Sequence, residues 1–263
     1  MASDTIRFAI EGAIATITLN RPERMNAFNW EMIDAWAEAL EECRRNDAVA
    51  VVVVTGAGKA FCSGGDIADM KQRGSMTAIE RKHDLQAHVH RIPAVLASLD
   101  KPVIAAINGA ATGAGMDLTL MADLRIAAES ARLGETYVKV GLVPGAGGAW
   151  LLPRLVGTAK ALELFWTGDL IDAQEALRIG LVNRVVPDAG LMTATRALAD
   201  RIAAAPPLSV RTIKRAVYQG LESDLPAHLD RISSDYALVT GSEDHREAVA
   251  AFLEKRKPRF TGR

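Results

Sequence analysis

The chain has 263 residues, with 31 basic against 32 acidic side chains and a formal net charge of −1. A balance this close to neutrality carries no electrostatic footprint for nucleic acid or an anionic membrane surface. The length suits one large domain, or one domain with a smaller helical annex. Only two cysteines occur, Cys43 and Cys62. Their spacing fits no metal motif, so no disulfide framework is expected and a reducing cytoplasm is the natural compartment. The opening MASDTIRFAI reads as neither a signal nor a transit peptide. No charge-free apolar run approaches the roughly 18 residues of a membrane span.

In chain order, residues 13–19 alternate and are β-branched, which predicts a half-buried strand. Asn20-Arg21-Pro22-Glu23 is a turn. Apolar residues recur at helical spacing over 29–45, with Asn29 placed to cap the helix. Residues 49–55 form a continuous apolar run ending at Gly56, the pattern of a strand buried on both faces. Residues 102–107 repeat it and stop at Asn108-Gly109. Shorter strand candidates are 124–127 and 138–140. Beyond Gly148 the texture becomes helical, over 149–156, 158–166, 172–179, 189–204, 207–220, 225–239 and 243–256, punctuated by glycine and proline. Strands alternating with helices argue for an α/β fold.

Three glycine-rich stretches follow strands: 55–66, 109–115 and 144–148. Glycine permits close backbone approach, and a loop running into a helix leaves unpaired N–H groups suited to an anion or a developing oxyanion. Gly56-Ala57-Gly58-Lys59 lacks the spacing of a phosphate-binding loop, and none of the stretches gives the dinucleotide glycine pattern.

The motifs then become specific. Ala60-Phe61-Cys62-Ser63-Gly64-Gly65-Asp66 resembles the A-F-C-x-G-x-D signature of the enoyl-CoA hydratase/isomerase, or crotonase, superfamily. Asn108 to Asp117 (NGAATGAGMD) and Gly141 to Gly148 (GLVPGAGG) resemble its second and third signatures, and the order of elements is similar over nearly the whole chain. The resemblance implies a crotonase-like spiral of ββα units at residues 1–200, followed by a helical C-terminal region at 201–263 that forms trimers or dimers of trimers. It implies an acyl-CoA thioester substrate, with coenzyme A as part of the substrate and no separate cofactor or metal. It places the oxyanion hole at the backbone N–H groups of Gly65 and Ala114. Substrate contacts are expected at Gly65, Asp66, Ile67 and Ala68, and at Phe252 and Lys255, which in related enzymes approach coenzyme A bound to a neighbouring subunit. From the residues alone, Asp66 also reads as a turn stabiliser.

The carboxylates depart from the family's pattern. Hydration of an enoyl thioester needs a base for water and an acid for the α-carbon, and the family's hydratases have glutamates at the positions of Asp117 and Tyr137. Here the first is a shorter acid and the second a phenol. Glu135 shares the face of Tyr137 if the backbone is extended and points away, toward the surface, if it is helical. The catalytic candidates are therefore Asp117, Glu135 and Tyr137. The leading expectation is addition of water to a trans-2-enoyl-CoA, giving a 3-hydroxyacyl-CoA in fatty-acid or related acyl-CoA metabolism. The alternatives are an isomerase or C–C hydrolase with Asp117 as single base, and a catalytically weak assembly subunit that only binds acyl-CoA. His83, His88 and His90 cluster in a helical stretch, but residues two apart do not share a helix face and no metal site is expected there.

Overall fold

The computed structural model describes residues 3–66, 69 and 75–263. The chain enters through an antiparallel hairpin, β1 (Ile6–Glu11) and β2 (Ile14–Leu19). A 3₁₀ turn (Pro22–Arg24) and helix α1 (Trp30–Arg45) follow. The chain next repeats one move: a long strand, a short strand, then helix. The first unit is β3 (Val51–Gly56), β4 (Ala60–Cys62), α2 (Ala78–Ala87) and α3 (Arg91–Ser98). The second is β5 (Val103–Ile107), β6 (Ala110–Thr112) and α4 (Ala114–Leu120). The third is β7 (Leu124–Ala128), β8 (Arg132–Gly134), a 3₁₀ turn (Thr136–Val140) and α5 (Gly148–Val156). Then come α6 (Thr158–Thr167), β9 (Ile171–Asp172), α7 (Ala173–Arg178) and β10 (Arg184–Val186). The C-terminal helices are α8 (Leu191–Ala203), α9 (Pro207–Gly220), α10 (Leu225–Thr240) and α11 (Glu243–Leu253).

Long and short strands sort into different sheets. The larger has the order β1-β2-β3-β5-β7-β10, the smaller β4-β6-β8-β9. This is the expected spiral of ββα units with a helical C-terminal region. Apart from the β1 hairpin, the large sheet is parallel, so both its faces must be covered. Val52 and Val54 face a core shared with Met32, Ile33, Trp36 and Leu40 of α1. Val51 and Val53 face the other way, packing with Ile104, Ile126 and, from α8, Leu191 and Ala199. The unbroken apolar run of β3 is the sequence signature of that two-sided burial.

Both ends of α1 are held by side chains. Asn29 Oδ1 accepts from the Met32 N–H at 3.0 Å, as the sequence predicts for an N-cap. At the other end Lys101, 1% exposed, donates from Nζ to the carbonyls of Cys43 (2.6 Å) and Asn46 (2.7 Å). Helix α9 is tied to the sheet layer through Asp123, whose carboxylate accepts from Lys214 Nζ (2.8 Å) and the Tyr218 hydroxyl (2.9 Å).

Three expectations are corrected. Residues 138–140 belong to a 3₁₀ turn, not a strand. Their β-branched composition mimics a strand, but the turn closes at Gly141 in the left-handed region. The last helix ends at Leu253 rather than 256, because Lys255 takes φ 55° and the chain turns back. Residues 6–11, passed over in the sequence, form an edge strand with little buried surface.

Lys101→Met removes the donor to the Cys43 carbonyl and one of two donors to the Asn46 carbonyl, which keeps the Val49 N–H. It is expected to cost about 1–3 kcal/mol, read as a lower urea midpoint with unchanged slope.

Candidate active site

The first glycine loop is built on a buried asparagine. Asn26 sits at φ 54°, a conformation asparagine tolerates better than most residues. Its Oδ1 accepts from the Arg21 N–H (2.8 Å), and its amide donates to the carbonyls of Ala57 (2.9 Å) and Ala60 (2.8 Å). The Arg21 guanidinium in turn bonds Asp66 Oδ2 at 3.0 Å. Asp66 N–H donates to Phe28 O at 3.0 Å. Asp66 therefore stabilises this turn, its carboxylate paired with Arg21.

This loop lies against the second. Gly115 packs on the end of β4 so closely that a Cβ there would stand 2.0 Å from the Cys62 carbonyl oxygen. Thr112 Oγ1 donates to Ser63 O at 3.2 Å, and a Cβ on Gly64 would lie 3.5 Å from the Ala114 nitrogen. Among the described residues neither the Gly65 nor the Ala114 N–H has a hydrogen-bond acceptor. Two backbone donors on adjacent loops are thus without an acceptor among the described residues, and unpaired donors of this kind can hold an oxyanion.

Three residues beyond Ala114, at Asp117, the carboxyls meet. Asp117 on α4 and Glu135 after β8 are both 0% exposed. Asp117 Oδ2 accepts from the Tyr137 hydroxyl (2.7 Å) and the Ala146 N–H (3.1 Å). Its Oδ1 and both carboxyl oxygens of Glu135 are buried without a donor elsewhere among the described residues, while the two carboxyls lie within hydrogen-bonding reach of each other. Two ionised carboxylates offer only acceptors; one proton between them makes a donor and satisfies the pair. Burial first, and then the Asp117 charge, push Glu135 up to about 10. Burial also raises Asp117, opposed by the hydrogen bonds from Tyr137 and Ala146 and by the nearness of Glu135 and the Gly148 N–H, which favour its ionised form. The Tyr137 phenol is raised, by burial and then by the Asp117 charge, so it stays a donor. The third glycine loop fits around this group: a Cβ on Gly148 would stand 1.9 Å from Asp117 Oδ1.

Glu135 resolves an alternative left open by the sequence. The backbone turns 3₁₀ only from Thr136. Leu133, Gly134 and Glu135 are all buried, so Glu135 points inward rather than to the surface.

The enoyl-CoA hydratase/isomerase family matches residues 9–263. The chain belongs to this family. The 1,2-epoxyphenylacetyl-CoA isomerase of Escherichia coli is 40% identical over 255 residues, covering 97% of each chain. The crotonyl-CoA hydratase of Syntrophomonas wolfei is 38% identical over 261 residues, covering 99% of each. The crystal structure of an enoyl-CoA hydratase from Bacillus anthracis superposes with a TM-score of 0.91 at 38% identity, over 98% of this chain and 100% of that one.

In this member of the enoyl-CoA hydratase/isomerase family the other expected site residues are scattered. Ile67 and Ala68 lie outside the described residues. Phe252, 84% exposed, lies in the last turn of α11, and Lys255, also exposed, lies just past it. Among the described residues no group of three His, Cys, Asp or Glu side chains is placed to hold a metal, and no helix is long and apolar enough to cross a membrane. His88 stacks on Trp30 with ring centroids 4.7 Å apart. Cys62 is fully buried and its thiol is pushed up to about 12, so it is no nucleophile. Sequence reasoning missed Asn26, which carries no motif signal beyond a turn position.

The raised Glu135 carboxyl makes a stability prediction. The folded protein holds this proton where the unfolded chain has released it. Stability on this account is full below the unfolded value near 4.5 and falls as pH rises toward about 10. Glu135→Gln is therefore expected to raise Tm relative to wild type near pH ~8, the gap closing toward pH ~4.5, as read by calorimetry across pH.

Proposed function

We propose that this protein hydrates a trans-2-enoyl-CoA to a 3-hydroxyacyl-CoA. The observation that carries the reading is the buried Asp117–Glu135 pair, since burial favours one protonated and one ionised carboxyl and hydration needs one group that gives a proton and one that takes it. In this reading the thioester oxygen sits between the Gly65 and Ala114 N–H groups. Asp117, held by Tyr137 and Ala146, accepts a proton from water as its oxygen bonds the β-carbon. The electron pair of the double bond moves toward the carbonyl, where the two N–H groups stabilise the enolate. Glu135 gives its proton to the α-carbon. Transfer of the new proton from Asp117 to Glu135 restores the starting pair. Tyr137 is a donor that fixes Asp117, in place of a second family glutamate. All these steps use groups of the protein, with coenzyme A entering as part of the substrate.

A second reading is favoured by Tyr137 itself. A phenol that only donates leaves Asp117 as a single base, able to move a proton between two carbons of an enoyl-CoA without water. The similarity to an isomerase at 40% identity is in keeping with it.

We also propose that residues 201–263 form the assembly region of a trimer or dimer of trimers. α10 has no buried residue, and apolar side chains such as Ile213, Val217, Leu225, Leu229 and Tyr236 are exposed along α9 and α10, more than a lone subunit leaves to water. Phe252 and Lys255 would then meet the coenzyme A of a neighbouring subunit.

Incubation with crotonyl-CoA in D₂O, followed by mass analysis, tests the reaction. A 3-hydroxybutyryl product with deuterium at the α-carbon is expected. Deuterium exchange without hydration favours the isomerase, and bound but unchanged ester favours the binding-only subunit. Asp117→Asn is expected to cut turnover by about 10² or more with CoA-ester affinity nearly unchanged; an unaffected rate removes Asp117 from the mechanism.

A further inference from the structure

We propose that His90 is a positioning residue for Asp117, acting through the peptide group between Gly145 and Ala146. The inference rests on the reading of Asp117 as the acid–base group. His90 Nε2 lies 2.9 Å from the Gly145 carbonyl oxygen. The N–H of that same peptide unit belongs to Ala146 and donates to Asp117 Oδ2 at 3.1 Å. A carbonyl oxygen only accepts, so the ring carries a proton on Nε2 and donates. The result is a continuous line of donors: imidazole N–H to peptide oxygen, peptide N–H to carboxylate.

The geometry of the surroundings gives this line a purpose. The Gly145–Ala146 peptide lies in the third glycine loop, between Pro144 and Gly147-Gly148. Nothing stands closer than 3.7 Å to a Cβ placed on Gly145, and the nearest atoms are the methyls of Leu85. With this peptide in the opposite orientation its oxygen would be turned toward a carboxylate. His90 selects the observed orientation. It is itself fixed, since its own N–H donates to Leu85 O at 3.1 Å where α2 passes into α3. A bond accepted at the peptide oxygen also strengthens the donation from the peptide nitrogen, which favours ionised Asp117. The other titratable groups that bear on Asp117 are Glu135 and Tyr137, both from the segment after β8; the approach to α5 presents only the N–H groups of Ala146 and Gly148.

The test compares wild type with His90→Leu, His90→Asn and His90→Gln. A glutamine amide reaches about as far as Nε2, whereas asparagine falls short of it, and the two breaking variants guard against one that does not fold. The readouts are the pH profile of kcat/KM on crotonyl-CoA, the kcat and KM values, and two signals that need no turnover: the Ala146 amide proton shift and the ¹³C titration of the Asp117 carboxyl. In the leucine and asparagine variants kcat is expected to fall roughly tenfold, with KM within about twofold. The acid limb and the Asp117 titration move to higher pH and the Ala146 amide proton moves upfield; glutamine restores all three. Equal losses in all three variants, or an Ala146 shift and Asp117 titration unchanged throughout, overturn the proposal. So does a wild-type ring found without a proton on Nε2. If wild type neither hydrates crotonyl-CoA nor exchanges its α-hydrogen while the two NMR signals follow the expected pattern, the reaction proposed above fails and the His90 line stands.

Discussion

Two carboxyl groups fully removed from water and set close together favour keeping one proton between them, because among the described residues a second negative charge at that spot has neither solvent nor a cation to offset it. Much of the local architecture serves this constraint. Asp117 is supplied with a phenol, two backbone N–H groups and the neighbouring acid. Glu135 is supplied with nothing but Asp117 among the described residues. That asymmetry favours the charge on Asp117, and it comes from position in the chain: Asp117 sits in the first turn of α4 against the third glycine loop, whereas Glu135 is buried just after β8. The glycines follow from the same arrangement, since the backbone at Gly148 must approach Asp117 more closely than any side chain permits.

The frame of the molecule was legible in the sequence wherever one local rule governed. The run at β3 could only be a strand covered on both sides, Asn29 had the geometry of a cap, and α9 was bounded by Pro207 and Gly220. The short strands β4 and β6 were hidden inside what read as glycine loops, because three residues are too few to show a period. The site was half legible. Backbone donors and Asp117 followed from motif resemblance, but the burial of Glu135 is a tertiary fact: its sequence neighbours allow either face. His90 was weighed only as a metal ligand, because its partner is a backbone carbonyl 55 residues away, which no spacing rule reveals. Residues 138–140 misled for the opposite reason, as β-branched side chains favour a strand while the turn before Gly141 overrides them.

The sorting of long and short strands into separate sheets has a wider consequence. Residues that fix the fold, such as Val52, Ile104 and Ile126, belong to the large sheet and its two cores. Those that meet substrate in the proposed reading follow the small sheet: Gly65 after β4, Ala114 and Asp117 after β6, Glu135 and Tyr137 after β8. In that reading chemistry gathers where the short strands end, although Phe61, Ala111 and Leu133 of those strands also belong to the main core. A change of residue after β8 then alters the acid–base set while the valines of β3 stay on the large sheet. That an isomerase and a hydratase stand at nearly the same distance from this chain is what such a partition leads one to find.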